Sequence, residues 1–141
     1  MHRKPAALLA ALALAAALAG CKKDAQIESV LAELNSFTQE IVKRVEGAPN
    51  PSAGVDDAQK FFDSRRADMQ GKLETLKGVR NFQVSEATQK KMMEQMTEDV
   101  MSVSKLQIKY MIETTRDPAL RAKLGKLVGD YQSLLKSVGE G

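Results

Sequence analysis

The chain has 141 residues, with 21 Lys and Arg against 18 Asp and Glu, one Cys, one His and no Trp. A lone Cys excludes an internal disulfide framework, and a lone His, at position 2, leaves everything after it without the commonest general base. The charge is close to balanced, so a nucleic-acid partner has no electrostatic case.

Met1-His2-Arg3-Lys4-Pro5 is a short basic head, and the run from Ala6 to Ala19 carries no charge. As a helix that run would reach about 21 Å, short of the roughly 30 Å core of a bilayer. Basic head, short apolar middle and small residues at the end are the layout of a secretory signal. The segment closes on Leu18-Ala19-Gly20-Cys21, after which the chain turns charged at Lys22-Lys23-Asp24. Residues 18–21 resemble the lipobox of bacterial lipoprotein signal peptides, and the resemblance covers residues 1–21 only. It implies cleavage between Gly20 and Cys21, a diacylglycerol on the Cys21 sulfur and an acyl chain on its new amino group. Lys22, rather than Asp, after the cysteine implies the outer membrane rather than the inner. It also implies that residues 1–20 are discarded, which removes Arg3 and Lys4 and leaves the basic residues outnumbering the acidic by one. Residues 21–24 are then the lipidated cysteine and a tether that spans at most about 11 Å if extended, and 25–141 form the domain.

Beyond residue 24 apolar residues recur at steps of three and four, the period of amphipathic helices. The first helix is expected over Ala25–Glu46, with Ile27, Leu31, Leu34, Thr38, Ile41 and Val45 inward. Gly47 ends it, and residues 48–54 read as a loop rich in Pro and Gly. The second is expected over Asp56–Lys77, with Ala58, Phe62, Met69 and Leu76 inward, Arg65 interrupting the face and Gly78 as C-cap. Ser85 is the N-cap of a third helix over residues 86–115, whose inward stripe is read as Met93, Met96, Val100, Val103, Gln107, Tyr110 and Thr114. Asp117-Pro118 opens the last helix, a capping acid followed by proline at the first helical position. Leu120, Leu124, Leu127, Tyr131, Leu134 and Val138 form its stripe. The fold expected is all-α, an up-down-up-down four-helix bundle, with a long three-helix bundle carrying a loosely attached helix as the alternative.

No catalytic site is expected. The Cys and His spacings of zinc and haem sites are absent, as is any glycine-rich phosphate loop. Glu94, Glu98 and Asp99 are placed on the charged face of the third helix. Met92, Met93 and Met96 are read as core filling rather than a soft-metal site, so no metal and no cofactor besides the covalent lipid is expected. Arg65-Arg66 is read as paired with Asp63 and Asp68 rather than as an anion site. Gly125 and Gly129 fall outside the last stripe and face outward. One feature points to function: Met101, Ile108 and Ile112, bridged by Met111, form a second apolar line opposite the first on the third helix. Either that helix touches neighbours on two sides, or the line is an exposed surface for a partner. The expectation is a lipid-anchored, non-enzymatic bundle of the bacterial envelope that contacts the membrane through its lipid and another envelope protein through this line. The alternative is a periplasmic carrier or sensor holding a small apolar ligand or metal between helices.

Overall fold

In the computed structural model the backbone is described for residues 6–77 and 84–139, and the side chains for 23–77 and 84–138. These residues form five helices and no strand: α1 Ala6–Gly47, α2 Pro51–Lys77, α3 Glu86–Lys109, α4 Met111–Arg116 and α5 Pro118–Gly139. The fold is an all-α bundle.

Each start has a local cause. Asn50 caps α2 by accepting the Ala53 N–H at 2.7 Å, and Pro51 takes the first helical position. The helix therefore begins five residues before the expected start at Asp56, and Gly54 lies inside its first turn rather than in a loop. Its Gly is required there: an added Cβ would sit 2.4 Å from the carbonyl oxygen of Val45, so α1 and α2 approach backbone to backbone. Ser85 accepts the Thr88 N–H at 3.2 Å and opens α3. Asp117 accepts the N–H groups of Ala119 and Leu120 at 3.0 and 3.1 Å and opens α5. Lys22, Lys23 and Asp24 continue α1 rather than forming an extended tether. Gly78, the expected C-cap, lies outside the described residues.

Cross-helix pairs give the directions. Between α1 and α2, Arg44 meets Asp57 at 3.1 Å, and Glu33 pairs with Lys72, so the two are antiparallel. Between α1 and α3, Glu28–Lys91 at 3.3 Å and Glu46–Lys109 at 2.8 Å run in register, so these are parallel. Asp56–Lys123 at 2.8 Å and Gln59–Asp130 at 3.0 Å make α2 and α5 parallel. Along the chain the long helices run up, down, up, down. In space they ring in the order α1, α2, α5, α3, with α2 diagonal to α3 and α1 diagonal to α5. Helices α2 and α3, consecutive in the chain, run antiparallel but do not touch.

The core holds the whole expected stripe of α1, with Val30 and Phe37 added. It also holds Ala58, Phe62, Met69, Leu73 and Leu76 from α2, and Leu120, Leu124, Leu127, Tyr131 and Leu134 from α5. Burial of this apolar surface, at about 25 cal/mol per Å², assembles helices whose stripes cannot be hidden singly.

Candidate functional site

The third helix differs from expectation in two ways, and both bear on the surface it presents. First, it breaks at Tyr110, whose backbone (φ −103°, ψ 21°) departs from helical geometry. Hydrogen bonds still cross the break, from Tyr110 N–H to Leu106 at 3.0 Å and from Thr114 N–H to Tyr110 at 2.9 Å. The Thr114 and Thr115 hydroxyls both bond back to the Met111 carbonyl, at 3.1 and 2.7 Å, a pattern that bends helices. The expected 86–115 helix is thus α3 and a short α4 that leans on α5.

Second, α3 is rotated from the expected face. Thr88, Asp99, Val103 and Leu106 are buried, with Met92, Met96, Val100 and Tyr110 packed against the core. Met93 and Gln107, expected inside, are exposed. Met92 and Met96 therefore face the core while Met93 faces out, and the three thioethers do not converge.

Asp99 corrects the reading of an acid cluster on the charged face. Glu94 and Glu98 are exposed, but Asp99 is only 1% exposed. Its Oδ1 accepts from Asn35 at 3.0 Å and Gln95 at 3.1 Å, while Oδ2 is buried with no hydrogen-bond partner. Burial raises its pKa above the ordinary carboxylate value, the two amides oppose that, and the Glu98 charge adds to it. Thr38 gives its proton to the Leu34 carbonyl at 2.8 Å, so Tyr131 donates to Thr38 across the bundle diagonal. Burial raises the Tyr131 pKa, and that hydroxyl stays protonated. A sequence signal for Asp99 existed: it stands on the Met92, Met96, Val103, Leu106 row, three after Met96 and four before Val103.

With the inner face taken by these residues, the outer line is open. Met101 is 50% exposed, Ile108 72%, Met111 61% and Ile112 64%. The second apolar line is therefore not buried against another helix, and α3 meets its two neighbours, α1 and α5, along its inner side. Because Lys109 pairs with Glu46 near the end of α1, Ile108 to Ile112 lie at the end of the bundle remote from Asp24, about 33 Å along the helix. Beside the line, the seam between α3 and α5 opens into a groove of about 420 Å³ lined by Met96, Val100, Met101 and Leu135, with Gln132 and Lys136 at its edge.

Gly20 and Cys21 lie outside the residues whose side chains are described. Gly125 and Gly129 face outward with open space around them, as expected. Arg65 pairs with Asp68 at 3.5 Å and Arg66 stacks over Phe62 at 5.9 Å. Among the described residues no group of three or more His, Cys, Asp or Glu side chains is placed to hold a metal ion. Among them, too, no helix is long and apolar enough to cross a membrane. Comparison with protein-family models, curated proteins and solved structures finds no significant match.

Proposed function

We propose that this chain is a lipid-anchored, non-enzymatic helical-bundle lipoprotein of the bacterial envelope, held at the outer membrane through Cys21 and acting by contact with another envelope protein. The observation that carries the contact role is the open line Met101, Ile108, Met111 and Ile112, four large exposed apolar side chains that run from the middle of the bundle to its end remote from Asp24. Exposed apolar surface of this kind is disfavoured unless something covers it. The anchoring role rests on Leu18-Ala19-Gly20-Cys21 and its resemblance to a lipobox. Photo-crosslinking from position 108 in the native envelope tests the contact: a discrete adduct that disappears in an Ile112→Asp variant supports it, and no adduct removes it.

The groove between α3 and α5 favours a second reading, a carrier for a small apolar ligand. Native mass spectrometry of the protein decides that reading: a bound species displaced by Leu135→Trp supports it, and bare protein in every preparation removes it.

A further inference from the structure

The charges beside the apolar line of α3 follow a pattern that the line alone does not explain. Reading outward from a point between Met101 and Ser102, Glu98 mirrors Lys105 and Glu94 mirrors Lys109 within α3, and in sequence Lys90 mirrors Glu113 of α4, beyond the break at Tyr110. Each pair is of opposite sign, so the pattern is reversed by a half-turn about that point. Glu98 and Lys105 are seven residues apart, two turns or about 10.5 Å on the same face, with Met101 between them. Both are exposed, and neither has an ion-pair partner among the described residues. The outer pairs are partly engaged: Lys90 reaches Glu94 at 3.7 Å and Lys109 holds Glu46 at 2.8 Å.

We infer that this face takes a second copy of the same chain, α3 against α3 and antiparallel, about a two-fold axis passing between Met101 and Ser102. In that arrangement Glu98 of each copy meets Lys105 of the other, and the two Met101 side chains meet at the axis. Ile108 of each copy covers the stretch around Gln95 to Thr97 of the other. The contact is isologous, so every favourable pair occurs twice. A parallel arrangement would set Glu98 against Glu98 and Lys105 against Lys105, which like-charge repulsion opposes. The inference rests on the reading of the α3 face as a contact surface and names its occupant.

Sedimentation equilibrium of the full chain in density-matched detergent tests the inference. The wild type is expected to self-associate. Glu98→Lys alone and Lys105→Glu alone each set two like-charge pairs across the axis and should weaken association at least about tenfold. An equimolar mixture of the two variants restores both opposite-sign pairs and should recover wild-type association, as should the double swap in one chain. Helicity and melting of all variants should match wild type, since both positions are exposed. A wild type that stays monomeric, single variants that associate as well as wild type, or a mixture that fails to recover would each overturn the inference. A monomeric wild type that still crosslinks from position 108 to a different protein would overturn the self-pairing and leave the contact surface standing.

Discussion

Replacing Asp99 by Asn should stabilise this protein at neutral pH, an unusual expectation for the removal of a buried, hydrogen-bonded side chain. Asp99 is 1% exposed, Oδ1 already accepts two amide donors, and Oδ2 has no partner. Asn keeps an acceptor for Asn35 and Gln95 and removes the buried charge. A polar group buried without a partner is disfavoured by about 1–3 kcal/mol, and a charge by more. The amide left at the Oδ2 position is also unpartnered, so the net gain at pH 7 is set at about 1–2 kcal/mol. The pH dependence carries the sign. The folded-state pKa of Asp99 is raised above 3.8, its unfolded value, so the folded state binds the proton more readily. The wild type therefore gains stability from this group as pH falls through the folded pKa toward 3.8, and the gain is complete below the unfolded value. Urea unfolding of both proteins between pH 4 and pH 8 should show the Asn variant ahead at neutral pH, with the gap closing as pH falls. A variant less stable than wild type at pH 7, or a gap that does not change with pH, would refute the reasoning.

Two further perturbations test the faces of α3 and the spacing of helices. Ile108→Asp with Ile112→Asp should shift stability by no more than about 0.5 kcal/mol per site, whereas Leu106→Ala, two positions away but 1% exposed, should lose about 2–5 kcal/mol in the same urea series. Gly125→Ala and Gly129→Ala, where a Cβ meets nothing, should each add about 0.5–1 kcal/mol, while Gly54→Ala should lose about 1–3 kcal/mol because the Cβ runs into the Val45 carbonyl, as thermal melts would show.

The stripes of α1 and α5 could be read from the sequence because their inward rows are nearly all large and apolar, from Ile27 to Val45 and from Leu120 to Val138. The α3 face could not, because the inward row contains a carboxylate. With Asp99 treated as a surface residue, the apolar stripe is drawn through Met93 and Gln107 instead of Met92 and Leu106, a shift of about one residue around the helix. Only the amides of Asn35 and Gln95, one of them 64 residues away in sequence, make Asp99 tenable inside. The start of α2 was missed for a different reason. Asn50-Pro51 carries the same cap-and-proline signal as Asp117-Pro118, but Gly54 resembles a loop residue until the proximity of the Val45 backbone is known. The break at Tyr110 has no Gly or Pro to mark it in the sequence. The ring order of the helices is a property of packing between distant segments, and no local pattern encodes it. Of the candidate contact surface, all four residues were legible as a line. Their exposure depended on which face α3 turns inward.

The account as a whole depends on where the chain is fixed in the cell, and metabolic labelling with palmitate measures that most directly. The wild type should incorporate label and yield a mature chain beginning at Cys21, and Cys21→Ser should incorporate none. Equal labelling of the two, or a purified wild-type chain that still begins at Met1, would contradict the account.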